Sequence, residues 1–196
     1  MSAPSRRRPG LSLKAQALAL LARREHSRQE LHAKLLAHAR KQAQAAPAAG
    51  LAPAGEHGLT ADPDAPAVWD EREQASIWHA RIEAVLDELA VARYLSDERF
   101  AEARVHARAA GQGQARIRHE LARHGVALPD ELADALRSTE FSRAQALWQR
   151  RFGTPAQDPR ERARQMRFLA ARGFSGDVVR KVVGGRDVLE EDDSGL

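Results

Sequence analysis

The chain has 196 residues, with 31 Lys+Arg against 27 Asp+Glu for a formal net charge of +4, and 43% hydrophobic residues of which few are aromatic. Cysteine is absent, which excludes a disulfide framework, a thiolate metal site and a Cys nucleophile. Leucine, alanine and arginine outweigh the β-branched residues, so the composition favours helices over a sheet.

The charge is unevenly spread. Residues 1–40 hold nine basic and two acidic side chains, 137–186 hold twelve and four, and the last ten hold none and five. Two basic blocks therefore flank a mildly acidic middle, and because lysine occurs only at positions 14, 34, 41 and 181, the basic groups are mostly guanidinium forks suited to carboxylate or phosphate. The first twelve residues, with Arg6, Arg7 and Arg8, read as a disordered basic start without a secretory signal. No run approaches the ~20 apolar residues of a membrane span, so a soluble, cytoplasmic protein is expected.

Apolar residues then recur at helical spacing: Leu13, Ala17, Leu20 and Leu21, and, after a break at His26-Ser27, Leu31, Leu35 and Ala39. Ser27 and Glu30 have the spacing of a capping box at the second helix. Between about residues 43 and 70, Pro47, Pro53, Pro63 and Pro66 oppose helix and predict a flexible insertion. Trp78, Ile82, Val85, Leu86 and Leu89 mark a third helix, which completes a first triplet over 13–94.

A second triplet, 95–138, opens with Ser96 as N-cap, Asp97 and Glu98 at the positive end of the helix dipole, and a buried stripe of Phe100, Ala103 and Ala107. Ile117 with Leu121, and Leu132 with Leu136, mark its other two helices, Pro129 standing at the first position of the last. Gly111 and Gly113 lack the rest of a phosphate loop and read as a helix turn. A third triplet, 139–185, carries Phe141, Ala144, Trp148 and Phe152, then Asp158-Pro159-Arg160-Glu161 as a helix start, then Val178, Val179, Val182 and Val183. Residues 186–196 form an acidic tail.

Leu121-x-x-His124-Gly125-Val126 in the second triplet matches Leu169-x-x-Arg172-Gly173-Phe174 in the third at an offset of 48. Each glycine is expected to close a helix in the left-handed conformation. The pattern predicts an all-α array of three tandem three-helix repeats.

On these residues the chain resembles the RecX family. The likeness is carried by Ala17-Leu18-x-Leu20-Leu21-x-Arg23-Arg24-Glu25-His26-Ser27-Arg28-x-Glu30-Leu31-x-x-Lys34-Leu35, by Leu95-Ser96-Asp97-Glu98-Arg99-Phe100-Ala101, and by Gly111-x-Gly113-x-x-Arg116-Ile117-x-x-Glu120-Leu121-x-x-x-Gly125-Val126. The insertion near 43–70 departs from the family, in which these helices are closely joined, and the third triplet matches by pattern more than by sequence. The resemblance implies an elongated, curved helical protein that lies along the groove of a RecA–DNA filament and touches neighbouring RecA subunits, inhibits RecA ATPase and strand exchange, and has no catalytic activity of its own.

Arg23, Arg24, Arg28 and Lys34 in the first triplet, Arg116, Arg118 and Arg123 in the second, and Arg160, Arg164, Arg167, Arg172, Arg180 and Lys181 in the third are the candidate contacts to RecA or DNA. Arg160, Arg164 and Arg167 are placed at the border of an apolar face of Ala163, Met166 and Ala170. Ser27, Glu30, Ser96, Asp97, Phe100, Gly125 and Gly173 are structural. No two histidines share a helix face at i, i+4, so no metal site is read, and no cofactor or nucleophile–base constellation is present. A monomer is expected, with DNA reached through the filament or weakly by itself. The competing reading is a stand-alone helical DNA-binding module, because a basic three-helix unit can form a helix-turn-helix.

Overall fold

The computed structural model describes residues 12–45 and 71–184, and among these there are nine α-helices and no strand. The chain divides at Ser96/Asp97 into two compact units.

The first unit contains α1 (Leu13–Leu21), α2 (Arg28–Ala45) and α3 (Glu71–Val91). Ser12 starts α1 by accepting from the Ala15 amide at 3.2 Å, and Ser27 starts α2 by accepting from the Glu30 amide at 3.1 Å. The Glu30 carboxylate turns to Arg24, which donates from Nη1 at 3.0 Å and also from Nη2. Half of the expected capping box is thus replaced by an ion pair that ties the α1–α2 connection to the first turn of α2. Ala17, Leu31, Leu35, Ile82, Leu86, Leu89 and Leu95 form the core between the three helices. Helix α2 runs two residues past the expected break, to Ala45. The rest of the predicted insertion, the basic start and the acidic tail lie outside the described residues.

The second unit contains α4 (Asp97–Arg108), α5 (Gln114–Ala122), α6 (Asp130–Ser138), α7 (Glu140–Arg151), α8 (Pro159–Ala170) and α9 (Gly176–Gly184). One apolar cluster is built from Phe100, Ala101, Ile117, Leu121, Val126 and Leu136, and a second from Ala144, Trp148, Leu169, Phe174, Val179, Val182 and Val183. The stripe of α4 differs from expectation: Ala103 and Ala107 are exposed, and Phe100 is joined inside by Ala101, with Arg104 and Val105 half-buried. Alanine carries little apolar area, so its position constrains a helix face weakly. Pro129 is the N-cap of α6, one place before the first helical position.

Both glycine closures form. Gly125 has φ 72° and Gly173 φ 82°, and the Leu121 and Leu169 carbonyls accept from the amides of Val126 and Phe174 at 3.1 and 3.4 Å. Asp158 caps α8 through the Glu161 amide at 2.8 Å, with Pro159 in its first turn.

Two buried polar groups complete the second unit. Gln165 is fully buried and accepts from the Trp148 indole at 2.8 Å while donating to the Thr154 carbonyl at 3.3 Å. The buried Glu140 accepts from the Ser175 amide at 3.1 Å, placing a carboxylate at the start of α9.

Candidate functional site

Two of the three candidate arginines of the first unit, Arg24 and Arg28, are spent on its own carboxylates. Arg28 donates from one nitrogen to Glu83 and to Asp87, the latter at 2.7 Å, so it clamps α2 to α3. Arg24 is held by Glu30, whose hydrogen bond and charge raise its pKa further above the ordinary value. Burial pushes the Glu30 carboxyl up, but the Arg24 hydrogen bond and charge outweigh it and hold the group below its ordinary value. Lys34 stands 3.8 Å from the same carboxylate, and Arg23 is exposed after the end of α1.

The second unit presents its cations differently. Arg116 and Arg123 line an open groove of about 760 Å³ with Arg108, His119, His124 and Glu120, closed on one side by Ala170, Ala171 and Gly173. Arg116 is fixed there because its Nη1 donates to the Ala171 carbonyl at 3.2 Å. Glu120 offsets part of the charge by pairing with Arg104 at 3.3 Å and Arg108 at 3.2 Å. Arg118, two residues from Arg116, is exposed on α5 and does not line this groove.

Arg172 stacks 3.7 Å from the Phe168 ring centroid and donates to the Phe168 carbonyl at 3.1 Å. With Leu147, Arg150 and Arg151 it lines a second, shallower depression of about 530 Å³. Arg180 pairs with Asp177 in the first turn of α9, and Lys181 is exposed beside it.

Arg160, Arg164 and Arg167 are all exposed on α8, but their place on the helix differs from expectation. The core side of α8 is centred on Gln165 and Leu169; of the expected apolar face Met166 is half-buried against the cluster, whereas Ala170 is exposed. At about 100° per residue the three arginines then point away from the core rather than border it. Gln165, polar by type, faces the core because the Trp148 indole donates to it.

Several residues matter here that the sequence did not single out. Arg108 and Arg150 join the two depressions, and their only sequence signal was proximity to other arginines. Arg143 is used internally: Nη1 donates to the Ala109 and Gln112 carbonyls and Nη2 to the Leu136 carbonyl, each at 2.7 Å, while Nε donates to Thr139 at 3.1 Å. Burial pushes its pKa below the ordinary arginine value. The first unit also brings together ligand-type atoms of His32, His79 and Glu83, a grouping that spans two helices and so has no signature in the histidine spacing of either one.

Comparison with known proteins accounts for this arrangement of helices. Residues 96–135 match the model of the RecX second three-helix domain, and 138–183 that of the RecX third three-helix domain. The chain is 44% identical over 178 residues to the regulatory protein RecX of Leptothrix cholodnii, covering 90% of each chain, and 41% identical over 191 residues to that of Ralstonia pickettii, covering 96% of each. It belongs to the RecX family of regulatory proteins. RecX of Herbaspirillum seropedicae is 40% identical over 95% of this chain and 97% of its own. The α4–α6 and α7–α9 triplets are therefore RecX three-helix domains, and the groove bordered by Arg116 and Arg123 lies where these two domains meet. No helix among the described residues is long and apolar enough to cross a membrane.

Proposed function

We propose that this RecX-family chain is a cytoplasmic, monomeric regulator that binds the RecA–DNA filament and lowers RecA ATPase and strand-exchange activity, so regulating recombination and repair, without catalysis of its own. The observation that carries the reading is the match to RecX proteins along nearly the whole chain. The charge geometry supports it. Arg108, Arg116 and Arg123 face one groove, Arg160, Arg164 and Arg167 project from α8, and Arg150, Arg151 and Arg172 gather at a second depression. Such separated cationic patches suit an extended partner that offers several acidic or phosphate positions, because individually weak contacts add when they are tethered. Arg24 and Arg28 of the first unit, held by Glu30, Glu83 and Asp87, act mainly in folding it.

The test is binding to RecA-coated single-stranded DNA and to bare single-stranded DNA across a salt series. The regulator binds the coated strand far more tightly, and much of that affinity survives at salt that abolishes bare-DNA binding. Equal affinity for both, with one steep salt slope set by counterion release, would instead make the protein a DNA-binding module.

A further inference from the structure

On the solvent side of the α2–α3 pair, His32 of α2 meets His79 and Glu83 of α3. His32 Nε2 lies 2.9 Å from His79 Nδ1 and 3.6 Å from Glu83 Oε1, and the three donor atoms all lie within 4.8 Å of one another. His79 and Glu83 are one helical turn apart, so α3 presents both on one face. Two ligand atoms on a tetrahedral ion with bonds of about 2.1 Å sit roughly 3.4 Å apart. The observed separations bracket that value, and small side-chain rotations convert the His32–His79 hydrogen bond into two bonds to a shared ion. From these positions we infer that His32, His79 and Glu83 bind a divalent transition-metal ion of the zinc class.

Two further features favour a ligand set over a chance meeting of side chains. Arg28 donates to Glu83 Oε2 and so fixes the carboxylate with its other oxygen turned toward His32, the orienting role that groups behind a metal ligand perform. His32 is only 19% exposed at its side chain, whereas His79 is exposed, so the cluster has one half-buried side and one open approach for the ion. Two imidazoles and a carboxylate suit zinc, cobalt, nickel or copper rather than magnesium or calcium. Three protein ligands leave the fourth tetrahedral position to water. Because the ligands come from helices separated in sequence by residues 46–70, a bound ion staples α2 to α3 and makes the stability of the first unit depend on metal.

The experiment uses the full chain, free of any affinity tag and stripped with EDTA. It measures Zn²⁺ binding by calorimetry, Co²⁺ binding by visible absorption, and the thermal midpoint with and without Zn²⁺. One ion binds per chain, Co²⁺ gives a tetrahedral d–d spectrum, and Zn²⁺ raises the midpoint. His79→Ala, at an exposed position, weakens Zn²⁺ binding by about tenfold or more and abolishes the Co²⁺ spectrum. Glu83→Gln weakens it in the same direction, and His119→Ala in the second unit leaves it unchanged. Absence of saturable binding, or weak binding that persists equally in folded His79→Ala and Glu83→Gln proteins, overturns the assignment.

Discussion

Gly113 and Gly173 meet backbone to backbone. The Gly113 amide donates to the Arg172 carbonyl at 2.9 Å, the Ala115 amide to the Gly173 carbonyl at 3.3 Å, and a Cβ on Gly113 would stand 2.1 Å from the Gly173 oxygen. The two three-helix domains of the second unit are thus joined through the start of α5 and the end of α8, and the Arg116 groove is built on that joint. Gly113→Ala should destabilise the second unit by about 2–4 kcal/mol, since the obstacle is main chain that cannot swing aside. Gly111→Ala, where nothing lies within 4 Å, is the control. Urea unfolding that shifts equally little for both would show that the joint is looser than described.

Arg143 is the second connection across the same joint. Its guanidinium satisfies carbonyls that end α4 and α6, where helices leave acceptors unpaired. Arg143→Met keeps most of the aliphatic stem and removes the donors, and should cost about 2–4 kcal/mol in urea unfolding through the acceptors left without partners. Arg143→Lys recovers only part, because an ammonium cannot span the fork. Full recovery by lysine would contradict the role assigned to the fork geometry.

At the end of α3, Arg93 has φ 60°, with the Leu89 carbonyl accepting from the Tyr94 and Leu95 amides at 2.9 and 3.2 Å. This is the closure made at Gly125 and Gly173, but with a side chain in the left-handed region. Arg93→Gly should stabilise the first unit by about 0.5–1 kcal/mol, measured as a higher unfolding midpoint. A lower midpoint would mean that the Arg93 side chain contributes more than its backbone costs.

His26, 2% exposed, hydrogen-bonds the Arg24 carbonyl at 2.9 Å, which makes Nδ1 the protonated nitrogen. Burial lowers its pKa below the ordinary 6.5, and the Arg24 and Lys34 charges act in the same direction against the backbone bond and Glu30. The unfolded chain therefore takes up a proton before the folded one does. The stability tied to neutral His26 is complete above the unfolded pKa and is lost as pH falls through the folded one, with a slope of at most about 1.4 kcal/mol per pH unit. Unfolding of the first unit in EDTA should show this loss below pH 6.5, and His26→Gln should remove it. An unchanged slope in the variant would place the effect elsewhere.

What was legible in the sequence follows from which signals are local. The nine helices, the Ser27 and Asp158 caps and the two glycine closures rest on neighbours within six residues, and the apolar periodicity around Leu31, Ile82 and Leu121 needs no tertiary information. The candidate site was legible as a set of arginines but not as surfaces. Whether a guanidinium faces solvent or ends on Glu83, Phe168 or the Ala109 carbonyl is decided by a residue distant in sequence. Gln165 and Glu140, both polar by type and buried by packing, had no local signature, and the orientation of α8 turned on the first of them. The His32–His79–Glu83 meeting likewise spans two helices.

Control of RecA is tested most directly by the ATPase rate of the cognate RecA on single-stranded DNA while the protein is titrated well below one copy per DNA-binding site. Such control predicts a fall in rate at those ratios, a weaker fall for Arg116→Glu/Arg123→Glu and for Arg160→Glu/Arg164→Glu with folding intact, and little DNA coverage by the protein itself. An unchanged rate up to saturating protein, together with tight salt-sensitive binding to bare DNA, would contradict it.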